Sequence, residues 1–206
     1  MNGEIIIIDY SMGNLHSVYK KLSRLKAKVS ISDSPQSIEK ADKIILPGVG
    51  HFARAMNNLK AMGYYDALNE AVLVQKKPIL GICLGMQLMA RHSEEGDALG
   101  LGWFEADVVR FRVSDPARFK VPHIGWNSVS KEKSSLLMQG IEENAEFYFV
   151  HSYHFQCDNQ TEILNKSLYS YEFVSGIEKE NIFGVQYHPE KSLDVGEQML
   201  RSFVAL

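Results

Sequence analysis

Lys77-Pro78-Ile79-Leu80-Gly81-Ile82-Cys83-Leu84-Gly85-Met86-Gln87-Leu88-Met89-Ala90 decides how this chain is read. The apolar Pro78 to Ile82 run predicts a strand, Met86 to Ala90 a helix, and Gly81-Ile82-Cys83-Leu84-Gly85 a sharp turn between them. That is the strand–turn–helix context of a nucleophile elbow, with cysteine in the reactive position. The glycines follow from crowding, because a turn this tight leaves no room for a Cβ between strand and helix. The turn also sets Cys83 at a helix N-terminus and the Leu84 N–H beside it, which favours a thiolate and a developing oxyanion. On its own, Gly-x-Cys-x-Gly fits a buried core cysteine equally well.

A second stretch breaks the tie. Gly184-Val185-Gln186-Tyr187-His188-Pro189-Glu190-Lys191-Ser192 starts as a strand and presents His188 and Glu190 two positions apart. In extended chain such residues share a side, and Pro189 keeps His188 out of the helical region. A carboxylate can then hold Nδ1–H of the imidazole and leave Nε2 free as a base. A surface His-Pro-Glu loop is the plain alternative, but with the elbow upstream the chain holds nucleophile (Cys83), base (His188) and orienter (Glu190).

Near the N-terminus, Glu4 to Asp9 contains an isoleucine run too short to span a membrane and without the charged flank of a signal peptide; it predicts a buried parallel strand. Leu15, Val18, Tyr19, Leu22 and Leu25 recur at helical spacing, with Asn14 as the expected cap. Strands are expected at Lys28–Ile31 and Lys43–Leu46, and helices at Phe52–Leu59 and Tyr64–Gln75. Beyond Leu99 the pattern shortens to strand-like pieces, such as Ala106–Val113 and Phe147–Val150, before a C-terminal helix near Asp194–Val204. The expected fold is α/β: a single three-layer domain over 1–206, with a mainly parallel central sheet flanked by helices and antiparallel additions in the second half.

Composition narrows the function classes. The chain has 206 residues, 45% of them hydrophobic, enough for one good core, and its net charge of −3 gives no case for nucleic acid or an anionic membrane. Two cysteines make no disulfide framework and fit a reducing cytoplasm, with Cys157 a free thiol. His151, His154 and Cys157 recur at intervals of three, and His123 or His188 would complete four ligands. They lack the paired spacing of structural zinc sites, so no metal or other cofactor is expected.

The elbow and the His-Pro-Glu loop resemble the signature of the class I (triad-type) glutamine amidotransferases. Five stretches narrow the likeness to glutaminase subunits of imidazole glycerol phosphate synthases, of histidine biosynthesis: Asp9 to Leu15, Pro47 to Phe52, Val121 to Asn127, Phe149 to Phe155 and Gly184 to Ser192. Ser11 stands where that family usually has glycine. The Pro47-Gly48-Val49-Gly50 loop departs from the GMP-synthase, anthranilate-synthase and carbamoyl-phosphate branches.

The resemblance implies glutamine as substrate, Cys83, His188 and Glu190 as triad, and Val49, Gly50 and Leu84 around the oxyanion. It also implies that Gln87, Ser152 and Tyr153 hold the amino-acid end; without the motif, Gln87 reads as a helix-surface amide. The ammonia would pass to a separate (βα)₈-barrel cyclase subunit in a heterodimer, which makes imidazole glycerol phosphate. That the chain has neither a P-loop nor a G-x-G-x-x-G after a strand fits such a division of labour. Trp126 is either an interface anchor or a core tryptophan; Tyr153, His151 and His154 are expected near the channel mouth. A paralogue serving a surface-sugar amidation synthase would carry the same triad. A stand-alone cysteine hydrolase, or a binding protein retaining the fold, are the other classes.

Overall fold

A computed structural model of the protein describes residues 3–206. The isoleucine run forms β1 (Ile5–Ile8), followed by α1 (Leu15–Arg24), β2 (Val29–Ser32), α2 (Ser37–Lys40), β3 (Lys43–Gly48), α3 (Phe52–Ala61) and α4 (Tyr64–Asn69). A π-turn over Glu70–Val74 prolongs α4, and β4 (Ile79–Cys83) leads into α5 (Leu84–Gln87). Nine further strands come next: β5 (Ala90–Ser93), β6 (Ala98–Leu99), β7 (Phe104–Arg110), β8 (His123–Lys131), β9 (Ala145–His151), β10 (Tyr153–Cys157), β11 (Ile163–Tyr169), β12 (Tyr171–Lys179) and β13 (Ile182–Val185). Helix α6 (Leu193–Ala205) closes the chain.

Among the described residues the strands form one sheet of thirteen, ordered β2-β1-β3-β4-β13-β12-β10-β7-β5-β6, with β11, β8 and β9 attached beside β12. The block β2-β1-β3-β4-β13 is parallel, and the pairings from β13 onward are antiparallel except β5 with β7. Period-two alternation splits the isoleucines between two cores. Ile6 and Ile8 pack with Phe52, Leu59 and Leu68 of α3 and α4, while Ile5 and Ile7 pack with Val18 and Leu22 of α1 and Leu200 and Phe203 of α6. Helices on both faces of the parallel block account for its uninterrupted burial.

Two expectations need correction. The helix after the elbow stops at Gln87, and Ala90 opens a strand instead. Here backbone pairing beats helix propensity: the N–H groups of Leu101, Gly102 and Trp103 donate to the carbonyls of Leu88, Ala90 and Met89. Asn14 stands at the start of α1 but its side chain makes no capping hydrogen bond. It lines a small cavity shared with Val18, Gly48, His188 and Glu190 instead.

Register explains the site. Gly48 of β3 lies opposite Cys83 of β4, and Val185 of β13 lies opposite Ile82. Three adjacent parallel strands therefore end side by side. Their outgoing segments converge at the carboxyl edge, where α/β sheets hold ligands.

Candidate active site

Cys83 has φ 54° and ψ −109°, a conformation rare for a residue with a side chain. Packing enforces it. A Cβ on Gly85 would overlap the Leu46 carbonyl oxygen, and one on Gly81 would stand 2.7 Å from the Met86 nitrogen. The glycines thus let β4 and α5 close on each other and lift Cys83 out of the strand.

His188 follows β13 in extended conformation, its N–H donating to the Tyr148 carbonyl at 2.9 Å. Its Nδ1 pairs with Glu190 Oε1 at 2.8 Å, both side chains being almost wholly buried. Glu190 itself sits in a 3₁₀ turn (Pro189–Lys191) rather than in extended chain; the turn still brings the carboxylate under the ring. His188 Nε2 and Glu190 Oε2 have no hydrogen-bond partner. Burial works to lower the His188 pKa, but the charge of the nearby Cys83 sulfur and the hydrogen bond and charge of Glu190 outweigh it and push the value up to about 10. An imidazolium between a sulfur and a carboxylate is therefore the favoured form.

A cavity of about 440 Å³ opens over Cys83, within the usual range for small-molecule sites. Val49 and Gly50 form one rim, with Gly50 at φ 108°, and Leu84 and Gln87 line the cavity beside the sulfur. Val150, Ser152 and Tyr153 make the facing wall. All nine residues singled out by motif are thus at or beside this cavity, with His188 and Glu190 behind Cys83 in the small adjoining one. Gln87 is not a surface amide: it is buried, and its Nε2 donates to Tyr153 O and to Gln186 Oε1, both at 3.0 Å.

The motifs missed two residues. Glu95 puts a carboxylate in the cavity wall while its Oε2 accepts the Phe52 N–H at 2.8 Å, at the start of α3. It comes from the loop after β5, and nothing local distinguishes it from its neighbour Glu94. Gln186 is fully buried, with Nε2 3.6 Å from Cys83 Sγ. A polar residue inside Phe183-Gly184-Val185-Gln186-Tyr187 was the available signal.

The histidines do not gather as ligands. His151 Nδ1–H donates to Tyr153 O at 2.7 Å, while its Nε2 meets His123 Nδ1 at 3.0 Å. His154 points to the other face of β10, against the Tyr171 hydroxyl at 2.9 Å in an outer groove, and so does not belong to the mouth of the site. Among the described residues no group of three or more His, Cys, Asp or Glu is arranged to hold a metal ion. Cys157 is a free, buried thiol whose pKa burial pushes up. Trp126 is 46% exposed, which removes the core alternative, and its ring meets Tyr148 edge-on at 6.0 Å.

Burial holds three imidazoles neutral: His123 falls to about 4, and His151 and His154 are also lowered. In the unfolded chain each takes a proton near pH 6.5, so the stability they contribute is present above that pH and lost as pH falls through it. His188 shifts the other way, and its contribution is level below the same pH. The thermal unfolding midpoint should therefore drop between about pH 6.5 and pH 5, as followed by circular dichroism.

An elbow cysteine, a buried His–Glu pair and a small-molecule-sized cavity, set at the carboxyl ends of three adjacent parallel strands, form an arrangement suited to attack by a thiol on a small polar substrate. The model of the glutamine amidotransferase class-I family matches residues 6–206, and the chain is an enzyme of that family. Within it, the chain is 46% identical over 203 residues to imidazole glycerol phosphate synthase subunit HisH 1 of Campylobacter jejuni, across 98% of this chain and 100% of that protein. It is 45% identical over 202 residues to subunit HisH 2 of Pseudomonas aeruginosa, across 98% and 99%. The solved structure of PurLQS from Thermotoga maritima shares the fold with a TM-score of 0.75 at 16% identity, over 100% of this chain and 99% of that one. Among the described residues no helix is long and apolar enough to cross a membrane.

Proposed function

We propose that this chain is the glutaminase subunit of an imidazole glycerol phosphate synthase, formed as one domain over 1–206, cytoplasmic, and paired with a (βα)₈-barrel cyclase. The observation that carries the chemistry is Cys83 in its strained elbow beside the buried His188–Glu190 pair.

Glutamine lies in the cavity with its carboxamide over Cys83. Glu95, the carboxylate in the cavity wall, receives the α-ammonium, and Ser152, Tyr153 and Gln87 hold that end of the substrate. The Cys83 thiolate attacks the carboxamide carbon, and the Leu84 N–H and an N–H of the Val49-Gly50 rim receive the oxyanion. The C–N bond breaks as His188 gives its proton to the departing ammonia. Water, deprotonated by His188, then cleaves the γ-glutamyl thioester and glutamate leaves. Glu190 orients the ring throughout.

An apolar surface beside the site supports a protein partner. Trp126 and Ile124, 46% and 58% exposed, stand on β8, and Tyr148 links Trp126 to the turn carrying His188 and Lys191. Exposed tryptophan next to a catalytic mouth is the kind of anchor that interfaces use. Glutamate release by the protein alone should be weak and should rise at least tenfold when the histidine-pathway cyclase and its ribonucleotide ligand are added. No rise, with the Cys83 thiol intact, would discard the histidine-pathway partner. The Campylobacter and Pseudomonas relatives both carry a copy number in their names. That favours, as second reading, a paralogous glutaminase feeding a sugar-amidating synthase; in that case the rise would come from that synthase.

A further inference from the structure

Gln186 lies one residue beyond β13 and is fully buried, out of reach of the substrate cavity and of water. Its neighbours fix which way its amide faces. The Tyr153 carbonyl can only accept, and it takes one hydrogen bond from His151 Nδ1 at 2.7 Å and another from Gln87 Nε2 at 3.0 Å. Turning the Gln87 amide over would set oxygen against oxygen, so Nε2 must face Tyr153. The same nitrogen donates to Gln186 Oε1 at 3.0 Å. With its oxygen thus engaged, Gln186 has only a donor left for its other neighbour, Cys83 Sγ, 3.6 Å away.

We propose that Gln186 is a further catalytic residue: an amide whose N–H is held against Cys83 Sγ by a polarised chain running Tyr153 O, Gln87, Gln186, so that the thiolate is stabilised by a group that does not itself line the cavity. This deepens the glutaminase reading and rests on Cys83 being its nucleophile. A hydrogen bond from a buried donor favours the charged form of its acceptor, and with Gln186 fully buried no water competes for its N–H. The chain also gives Gln87 two tasks, since one face belongs to the cavity while its nitrogen sets the amide that touches sulfur.

The test is alkylation of Cys83 by iodoacetamide without glutamine, coupled to mass analysis of the Cys83 peptide from pH 5 to pH 10. Gln186→Met keeps the length of the side chain and removes the donor. Its rate near neutral pH should fall about tenfold, the size expected for loss of a hydrogen bond to a charged group, and should recover as pH rises. Gln87→Met should move the profile in the same direction, although substrate is absent. If Gln186→Met does not fold, Gln186→Glu serves, because it retains the acceptor for Gln87 and turns an oxygen toward sulfur; its profile should move further. Profiles superimposable on the parent in the Gln186 variants, with unchanged circular dichroism, overturn the proposal. A buried amide with a purely structural role would alter stability and leave the profile in place. Failure of the underlying reading looks different: alkylated parent protein would still release glutamate.

Discussion

Cys83→Ala is expected to reduce glutamate release by at least about 10⁴-fold, with the loss in kcat rather than KM. The cavity wall formed by Glu95, Gln87, Ser152 and Tyr153 does not depend on the sulfur, so glutamine should still bind. What disappears is the atom that His188 and Gln186 face. Synthesis by the cyclase partner from added ammonia should continue, since the loss is confined to the nitrogen supply. Glu190→Gln should cost roughly a hundredfold less than the alanine variant, because an orienting group is one step removed from bond making. The measurement is glutamate formation under saturating glutamine, next to ammonia-dependent product formation with the partner. Cys83→Ala releasing glutamate at the parent rate would remove the nucleophile assignment.

Gly85→Ala should destabilise the fold by more than about 3 kcal/mol or prevent folding altogether. The new methyl would overlap the Leu46 carbonyl oxygen, which belongs to the backbone of β3 and cannot swing aside as a side chain could. Strand β3 is itself held between β1 and β4 in the parallel block, so the displacement has nowhere to go. Gly102→Ala is the matching control. Gly102 has φ 69° but open space for 4 Å around where a methyl would stand, so only the left-handed conformation is penalised, at about 1 kcal/mol. Urea unfolding of the two variants separates steric overlap from backbone strain; equal losses would mean that close strand–helix contact does not dictate the glycine.

The parallel half of the fold was legible because its signals are local and redundant. Buried strands show as continuous apolar runs, and the elbow compresses strand, turn and helix into a few residues. The pairing of His188 with Glu190 was legible for a related reason: the two are neighbours across Pro189, and the 3₁₀ turn there brings them together as the expected extended chain would have. What escaped lay in relations between distant segments. Ala90 entered a strand because the backbone at 101–103 offered hydrogen bonds that helix propensity cannot anticipate. Asn14 has the type and position of a cap, yet its side chain makes no capping hydrogen bond and the residue lines the small cavity with Glu190. Glu95 reaches the cavity only because β5 turns back beside α3. Gln186 shows in sequence only as a polar residue in an apolar run, since what it does depends on Gln87, ninety-nine positions away in sequence. The pairing of strands set these contacts, and composition carries no trace of it.

Strand β4 has partners on both sides, β3 and β13, and all five of its residues are buried. Its amides are therefore of the kind that exchange with solvent only when the whole molecule opens. The thiol proposed as nucleophile rides on the end of that strand, whereas Glu95 and Ser152, proposed to grip substrate, lie between elements at the rim. Grip can thus drift through local fluctuation or through changes in rim sequence, while the placement of the sulfur is tied to the global folding equilibrium and to nothing smaller.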